Sequence, residues 1–383
     1  MRRICLLLVG ALLMGLLGLG VSAAPAEVAA KSAVLMDAAT GTVLYEQNAH
    51  EKLAPASVTK VMTMLLIMEA LDSGKIKAED TVTASEAAAA KGGSQIYLKV
   101  GETMTVTEML KSIAVSSAND CACAMAEHLA GTEEAFVDAM NKKAAALGMQ
   151  DTHFVNCTGL DDGENASEHR TSAYDIALMS RELLVNHPDI KKYTTIWMDT
   201  VRGGTFGLSN TNKLVRFYPG ATGLKTGFTS GAGYCLSASA QREGMELIAV
   251  VMGCETSQNR FAACKSLLDY GFAGYALIAP EGEEAQVPVT LGQKEAVRAV
   301  PSRSAQMLID KSQKNSVTTE MTLEETVEAP VSRGQRLGTM TIKAGEQILK
   351  EIPLVAAEGI PRLTFGEMLK KVLRAVCTGG RGM

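Results

Sequence analysis

Three short groups of residues combine a hydroxyl with an amine or an amide, the side chains that acyl transfer requires. The first is Ser57-Val58-Thr59-Lys60. In a helix Ser57 and Lys60 would share one face, because residues i and i+3 are neighbours on a helix surface. A serine hydroxyl needs a base to take its proton, and a lysine whose pKa is lowered by burial can be that base. Alone, this pattern is more typical of a serine that caps a helix.

Two further groups follow along the chain. Ser117-Ala118-Asn119 comes directly after a predicted helix, and it offers a hydroxyl to relay a proton and an amide to hold a carbonyl. Lys225-Thr226-Gly227 lies in a predicted strand, where a cation and a hydroxyl precede a glycine that lets a ligand approach the backbone. Alone, each has a plain structural explanation, a second helix cap and a solvated lysine. In this order, the three groups form the S-x-x-K, S-x-N and K-T-G signature of serine–lysine acyltransferases.

Other kinds of chemistry find no support in the sequence. No G-x-S-x-G elbow and no Walker A loop occur, and the five histidines form no H-E-x-x-H pair. The cysteines beyond Cys5 have no regular spacing, which favours buried apolar residues over a disulfide framework or a metal site. A net charge of −5 and an aromatic content of 4% argue against a nucleic-acid partner. We therefore expect no metal, no cofactor and no nucleic acid.

The elements that must position these groups indicate an α+β fold, layered as α/β/α, with helices against an antiparallel sheet. A hairpin is predicted at Ser32–Asp37 and 42–47, and Pro55-Ala56-Ser57 opens a predicted helix with apolar residues at helical spacing. The other predicted helices of this region cover Val106–Ser116, 120–130, 133–147, 172–184 and 260–270, and its strands cover 224–228, 233–240 and 246–253.

The last hundred residues have a different character. Short alternating strands at 286–291, Val317–Leu323 and 338–343 predict a small all-β domain over 281–360. The segment 363–377 predicts an amphipathic helix, with an apolar stripe on one side and Lys370, Lys371 and Arg374 elsewhere. This combination is typical of a helix that lies on an anionic membrane surface. Docking of the helix on its own domain is the alternative.

The N-terminus predicts an export signal over residues 1–23. Arg2 and Arg3 precede an apolar run over 4–21, and Val21-Ser22-Ala23 offers small residues for cleavage. A transmembrane anchor is the alternative, but the glycines of the run and its alanine-rich exit favour cleavage. We expect the mature protein to be exported, at the outer face of the cytoplasmic membrane or in the cell wall.

The sequence resembles the low-molecular-mass penicillin-binding proteins, specifically the D-alanyl-D-alanine carboxypeptidases of the bacterial cell wall. Beyond the three motifs, the resemblance rests on segments over 54–63, 117–120, 153–160, 171–175 and 223–229. Two positions depart from the family pattern. Cys157 stands where the family often has proline, and Phe228 follows the glycine of K-T-G where some members have histidine. Either position is expected to tune substrate preference.

The resemblance implies a β-lactamase/transpeptidase-like catalytic domain over 28–275, the β-rich domain over 281–360 and a membrane-associating helix over 363–377. It also implies hydrolysis of the terminal D-Ala from peptidoglycan stem pentapeptides ending in D-Ala-D-Ala, through an acyl-enzyme on Ser57 activated by Lys60. β-Lactam antibiotics would acylate the same serine. No cofactor is implied.

The resemblance also assigns roles to the remaining residues of the site. The backbone N–H groups of Ser57 and Phe228 would hold the oxyanion. Ser117 and Lys225 would pass a proton to the departing amine, and Asn119 would hold the peptide. The terminal carboxylate would bind Lys225 and Thr226, next to Gly227, together with Arg260, whose planar fork suits a carboxylate.

Three alternatives stay open at this stage. A class A β-lactamase shares the motifs but needs a deacylating glutamate in E-x-x-L-N, for which Glu182-Leu183-Leu184-Val185-Asn186 is only a loose match. A non-catalytic peptidoglycan-binding protein could keep the fold, although the intact motifs argue against it. A transpeptidase or endopeptidase would use the same acyl-enzyme.

Overall fold

The chain divides into two units, Met1–Tyr275 and Ala276–Met383. The computed structural model describes residues 28–161, 165–280 and 285–377. The predicted export signal at 1–23 lies outside the described residues.

The first unit is built on a five-stranded antiparallel sheet. The predicted hairpin is confirmed, with Leu35 of the first strand opposite Tyr45 of the second. The strands of the sheet are β1 Ser32–Asp37, β2 Val43–Gln47, β7 Ala221–Thr229, β8 Gly233–Arg242 and β9 Met245–Cys254. They lie side by side in the order β2-β1-β9-β8-β7. Two short hairpins lie outside it, formed by β3 Thr81–Thr83 with β4 Thr103–Thr105 and by β5 Met198–Val201 with β6 Phe206–Ser209.

Helices cover both faces of this sheet. All six residues of β1 are buried, and because successive side chains of a strand point to opposite faces, both faces must be covered. The helices are α1 Lys60–Asp72, α2 Glu86–Ala89, α3 Val106–Ser116, α4 Asn119–Ala130, α5 Glu133–Ala146, α6 Ala173–Asn186, α7 Lys191–Thr194, α8 Leu214–Phe217 and α9 Ser257–Gly274. Helix α6 packs on β1 and β9, and α9 packs on β8 and β9. The predicted α+β layering is confirmed.

Three differences from the predicted helix boundaries involve residues of the candidate site. Ser57 does not begin the α-helix, since it lies in a 3₁₀ turn, Ala56–Thr59, and α1 begins at Lys60. Helix α4 begins at Asn119, which therefore does not cap it. Helix α9 begins at Ser257, ahead of Arg260, because the Thr256 side chain accepts a hydrogen bond from the Asn259 backbone N–H at 3.1 Å.

The second unit contains a six-stranded sheet. Its strands are β11 Ala285–Thr290, β12 Ala296–Pro301, β14 Val317–Leu323, β15 Val327–Glu328, β16 Arg336–Ala344 and β17 Gln347–Ala356, and they lie in the order β14-β16-β17-β12-β11-β15. A separate two-stranded sheet is formed by β10 Tyr275–Ile278 and β13 Met307–Asp310. In β11 buried and exposed residues alternate, so one face packs on an apolar core that includes Val287, Leu337 and Ile352. The predicted all-β domain is confirmed.

The last helix of the second unit is α10, Phe365–Cys377. Its apolar side chains are largely exposed, with 84% of Phe365 and 74% of Val376 accessible. Among the described residues, no helix combines the length and the hydrophobicity needed to cross a membrane.

Candidate active site

The structure brings the Ser57 hydroxyl and the Lys60 amine into contact. Lys60 Nζ lies 2.8 Å from Ser57 Oγ, and it donates a second hydrogen bond of 2.8 Å to the backbone carbonyl of Thr158. The 3₁₀ turn leads directly into α1, so the two residues project from successive parts of one continuous element. The pair has the geometry of a nucleophile and its base.

Lys60 is fully buried in the core of the first unit. Burial disfavours the charged ammonium and lowers the pKa of Lys60 to about 7, against a partial compensation from Cys157 and Asp120. An amine with this pKa is half neutral near pH 7, and a neutral amine can accept a proton from a hydroxyl.

The turn that carries Ser57 is held by residues that the sequence analysis did not single out. The backbone of Ala56 adopts a φ of 48°, and its carbonyl accepts a hydrogen bond of 2.8 Å from Thr59 Oγ1. Thr59 Oγ1 lies 2.8 Å from His169 Nε2. His169 Nδ1 in turn accepts a 3.1 Å hydrogen bond from the Val155 backbone N–H. This bond leaves the proton on Nε2, so His169 donates to Thr59.

Gly159 packs closely against the backbone of this turn and helps to hold it. Its φ is +83°, and a Cβ at this position would lie 1.8 Å from the carbonyl oxygen of Ala56. Only glycine therefore lets the loop over 155–160 pass so close to the nucleophile turn. The neighbouring Thr158 supplies the carbonyl that holds Lys60. From the sequence, Thr158 and Gly159 belonged to the segment 153–160 that resembles the family, and no role could be assigned to either.

Strand β7 brings Lys225, Thr226 and Gly227 to the same turn. A Cβ on Gly227 would lie 2.6 Å from the Pro55 carbonyl oxygen and 3.1 Å from the Ser57 backbone nitrogen, so the strand approaches the turn closely. Lys225 is buried, and its Nζ donates a 2.9 Å hydrogen bond to the Thr226 carbonyl. Burial, and then the nearby cations Lys60 and Arg260, hold the pKa of Lys225 well below its ordinary value.

Arg260 lies against the same strand. Its Nη1 donates to the Gly227 carbonyl at 2.9 Å and to the Cys235 carbonyl at 3.4 Å. The Nε of Arg260 is buried and has no hydrogen-bond partner among the described residues. Thr226 Oγ1 donates a 2.7 Å bond to Thr211 Oγ1.

Ser117 and Asn119 occupy the junction between α3 and α4. Ser117 ends α3 in the left-handed region with a φ of 63°, and it is buried. Asn119 Nδ2 donates a 2.7 Å hydrogen bond to the Gly92 carbonyl, whereas its Oδ1 is buried without a partner among the described residues. An unpartnered buried acceptor of this kind is available to a ligand's N–H group.

Phe228 follows the K-T-G residues on β7 and forms an aromatic pair with Tyr234. Its ring stacks on Tyr234 at 4.3 Å between centroids, and half of the Phe228 side chain stays exposed. The Arg260 guanidinium lies 5.3 Å from the Tyr234 ring centroid. Stacking on Tyr234 therefore holds Phe228 in place, while about half of Phe228 stays accessible to solvent.

Two family models match the chain, and together they span nearly all of it. A D-alanyl-D-alanine carboxypeptidase model matches residues 20–256, and a model of the penicillin-binding protein 5 C-terminal domain matches residues 275–362. The chain belongs to the D-alanyl-D-alanine carboxypeptidase family. The resemblance found in the sequence is confirmed.

Individual proteins of known name show the same likeness. The D-alanyl-D-alanine carboxypeptidase DacF of Bacillus subtilis is 46% identical over 351 residues, covering 90% of this chain and 89% of its own. The crystal structure of penicillin-binding protein 5 from Haemophilus influenzae superposes with a TM-score of 0.76 at 30% identity, covering 88% of this chain and 99% of its own. Penicillin-binding protein D2 from Listeria monocytogenes, in its ampicillin-bound form, gives a TM-score of 0.58 at 32% identity over 64% of this chain and 98% of its own.

A class A β-lactamase would require a deacylating glutamate, but Glu182, the candidate for that role, forms an ion pair away from Ser57. Glu182 Oε1 lies 2.9 Å from Lys143 Nζ, which also contacts Glu69 Oε1 at 2.6 Å. Glu69 follows Lys60 by nine residues on α1, about 13 Å along a helix axis. The family membership and this placement favour the carboxypeptidase over the β-lactamase.

Among the described residues, this ion-pair cluster is the one place where three side chains bring possible metal-ligating atoms close together. Atoms of Glu69, Glu182 and His187 lie within 4.8 Å of one another. The Lys143 ammonium forms an ion pair with each of the two carboxylates. His187 Nδ1 lies 2.5 Å from Asp72 Oδ2. The cluster thus joins α1, α5 and α6 through charge pairs and is separate from Ser57.

Among the described residues of the first unit, the cysteines are free and buried, as expected for small apolar residues. Cys157 Sγ lies 3.2 Å from Glu133 Oε1, and a hydrogen bond with Cys123, together with burial, raises the pKa of the Cys157 thiol well above its ordinary value. A thiol held in its protonated form is a poor nucleophile. Cys377, at the end of α10, is exposed.

Proposed function

We propose that this family member acts as a serine D-Ala-D-Ala carboxypeptidase through a covalent acyl-enzyme on Ser57. Ser57 Oγ attacks the carbonyl carbon of the penultimate D-Ala of a peptidoglycan stem pentapeptide while its proton passes to Lys60. The C–N bond to the terminal D-Ala then breaks, and the amine leaves with a proton. Water hydrolyses the ester, and tetrapeptide and free D-Ala are the products.

The contact between Ser57 and Lys60 carries this proposal. The 2.8 Å distance is hydrogen-bond reach, and burial lowers the pKa of Lys60 to about 7. A general base works best when its pKa lies near the operating pH. The Thr158 carbonyl supports the base by fixing the position of its amine without adding a negative charge.

The oxyanion of the tetrahedral intermediate would be held by the backbone N–H groups of Ser57 and Phe228. The close packing of Gly227 against the Ser57 turn supports this assignment, because it places the strand that contains Phe228 beside the nucleophile. Preorganised backbone donors stabilise developing negative charge strongly.

The two ends of the substrate would contact opposite sides of Ser57. Thr226, Lys225 and Arg260 would hold the terminal carboxylate, and the unpartnered Arg260 Nε supports this. Asn119 would hold the peptide through its unpartnered Oδ1. Ser117 and the low-pKa Lys225 would pass the proton to the departing amine.

β-Lactam antibiotics are expected to acylate Ser57 as well. The structurally similar Listeria protein has been crystallised in ampicillin-bound and cefotaxime-bound forms. The inhibitors would occupy the place of the D-Ala-D-Ala end.

The test combines covalent labelling with product analysis. A fluorescent penicillin should label the wild type in a denaturing gel and leave Ser57→Ala unlabelled. The matched control is Ser302→Ala, on an exposed serine of the second unit, and it should label like the wild type. A pentapeptide substrate should yield tetrapeptide and free D-Ala in equal amounts. Labelling that persists in Ser57→Ala would contradict the proposed nucleophile.

A transpeptidase or endopeptidase activity would start from the same acyl-enzyme, and the product analysis separates the three. An acceptor amine incorporated in preference to water would indicate transfer. Release of peptide from a cross-linked dimer would indicate endopeptidase activity. The non-catalytic alternative predicts no labelling at all.

We also propose that the protein works at the outer face of the cytoplasmic membrane, with α10 lying on the lipid surface. The exposed apolar residues of α10 and its Lys370, Lys371 and Arg374 support this placement, since apolar burial and charge attraction act together at an anionic interface. Export would depend on the signal at 1–23, and the catalytic domain would occupy 28–275, the β-rich domain 281–360 and the helix 363–377.

A further inference from the structure

The Thr158 carbonyl that holds the Lys60 amine lies in a loop that belongs to neither a helix nor a strand. Hydrogen bonds to neighbouring elements must therefore fix this carbonyl in place. Cys157, the residue before Thr158, makes two such bonds through its backbone. Its N–H donates to Glu133 Oε1 at 3.2 Å, and its carbonyl accepts a 2.6 Å bond from Thr63 Oγ1.

The two bonds tie the loop to two different helices. Thr63 lies on α1, one turn after Lys60, and Glu133 is the first residue of α5. A single hydrogen bond lets a loop rotate about it, whereas two bonds from separate helices fix its orientation. The Glu133 contact therefore restricts how the Thr158 carbonyl can turn relative to Lys60.

The Glu133 carboxylate is itself fixed and stays ionised. Its Oε2 accepts a 2.5 Å hydrogen bond from Lys91 Nζ and a 3.8 Å one from the Cys123 thiol. Burial raises the pKa of Glu133, but the hydrogen bond and the charge of Lys91 outweigh burial, so the pKa lies below its ordinary value. An ionised carboxylate forms stronger hydrogen bonds with backbone N–H groups than a neutral acceptor does.

The charged and titratable side chains that interact with Lys60 come from several elements, and they are Asp120, Cys157, Lys225 and His169. Glu133 contacts Cys157 through both its backbone N–H and its thiol, at 3.2 Å each. Because Glu133 is paired with Lys91, its own electrostatic effect at Lys60 is weakened. The influence of Glu133 on Lys60 therefore passes mainly through the loop.

We propose that Glu133 is a positioning residue for the base Lys60, acting through the backbone of Cys157 and the carbonyl of Thr158. This role rests on the proposed function, in which Lys60 takes the Ser57 proton. The hydrogen bond to the Thr158 carbonyl directs the amine towards Ser57 and favours the ammonium form of Lys60. Loss of the Glu133 contact would weaken both effects.

The test separates the reach of the Glu133 side chain from its charge. Glu133→Asp keeps the charge but is one methylene shorter, so its carboxylate withdraws from the Cys157 N–H. Aspartate also suits the first turn of a helix, so the fold should be retained. Glu133→Gln keeps the length and an oxygen acceptor but loses the charge. Stopped-flow acylation by a fluorescent penicillin gives a first-order rate constant for each variant between pH 5 and 9.

At the alkaline plateau, Glu133→Asp should acylate about tenfold more slowly than the wild type, because a small misplacement of a catalytic group is costly. Its pH midpoint should also lie below that of the wild type, since a displaced Thr158 carbonyl no longer favours the ammonium of Lys60. Glu133→Gln should stay closer to the wild type in both respects. The matched control Glu134→Asp shortens the neighbouring, exposed glutamate and should keep the wild-type rate and midpoint.

A melting temperature for each variant reports on its fold, and the rate constant of the labelled molecules does not depend on the folded fraction. A wild-type rate and midpoint in Glu133→Asp overturns the positioning role, even where the melting temperature falls. Acylation of Glu133→Gln that is as slow as that of Glu133→Asp also overturns it, because charge would then matter more than reach. Absence of Ser57-dependent labelling in the wild type would instead contradict the proposed function itself.

Discussion

Thr59 Oγ1 lies 2.8 Å from His169 Nε2, although the two residues are 110 positions apart in the chain. Thr59 stands between Ser57 and Lys60, and it also donates to the carbonyl of Ala56. His169 is itself held by the Val155 backbone. A chain of three hydrogen bonds therefore runs from the 155–160 loop to the turn that carries the nucleophile.

His169 makes the stability of the protein depend on pH. Burial first, and then the charges of His153, Arg170 and Lys60, lower the pKa of His169 from 6.5 to about 4. As pH falls from 6.5 to 4, the unfolded chain takes up a proton that the folded protein does not. The free energy of unfolding should therefore fall by about 3 kcal/mol between pH 6.5 and 4. Below pH 4 the protonation of His169 should change it little further. Urea unfolding at pH 7.0, 5.5 and 4.5 measures it.

His169→Gln is the matched variant for this pH dependence. The Gln amide keeps a hydrogen-bond donor for Thr59 but does not titrate in this range. The dependence of the free energy of unfolding on pH should therefore become weaker. His128→Ala, at an exposed histidine near the end of α4, should keep the wild-type slope. An unchanged slope in His169→Gln would show that another group is responsible.

Lys60 should set the acidic limb of the pH–rate profile. The neutral amine is the form that accepts the Ser57 proton, so penicillin acylation should increase with pH through an apparent pKa near 7. Lys60→Arg keeps the cation but cannot lose it near neutral pH, and acylation should fall by about 10³-fold or more. Stopped-flow labelling across pH 5 to 9 gives both results. A profile in Lys60→Arg with the wild-type rate and midpoint would refute the role of Lys60 as base.

Gly159→Ala should displace the nucleophile turn. The new Cβ would meet the Ala56 carbonyl oxygen at 1.8 Å, and the backbone would also be strained, so we expect a loss of about 3 kcal/mol or more in stability together with slow acylation. Gly148→Ala is the matched control, because Gly148 has a φ of +75° and open space around its Cα. It should cost about 1 kcal/mol from backbone strain alone and leave acylation unchanged. Equal effects of the two substitutions would exclude the contact with Ala56 as the cause.

The apolar face of α10 should decide membrane association. Phe365→Glu places a charge on an exposed apolar position, and binding to vesicles that contain phosphatidylglycerol should weaken about tenfold or more. Ile348→Glu, at an exposed apolar residue of β17, is the control and should bind like the wild type. Flotation with phosphatidylglycerol vesicles and with phosphatidylcholine alone measures both the apolar and the charge contribution. Equal flotation of Phe365→Glu and wild type would argue against α10 as the contact.

Much of the fold followed from the sequence because its signals are local. The strand-like run at 32–37 predicted β1 with its observed bounds, and the helical pattern at 106–116 did the same for α3. The start of α1 was misplaced, since Ser57 belongs to a 3₁₀ turn whose shape depends on contacts with Thr59, Gly159 and β7.

By itself the sequence determined which residue types form the three motifs and the order in which they occur, because motif chemistry depends on side chains that can be read directly. Only the tertiary structure decided what surrounds them. The carbonyl of Thr158, 98 positions from Lys60, holds the amine, and every residue has a carbonyl, so no side-chain pattern reveals it. His169 had no recognisable spacing to any motif, and its role appeared only when folding placed its ring against Thr59 and buried both.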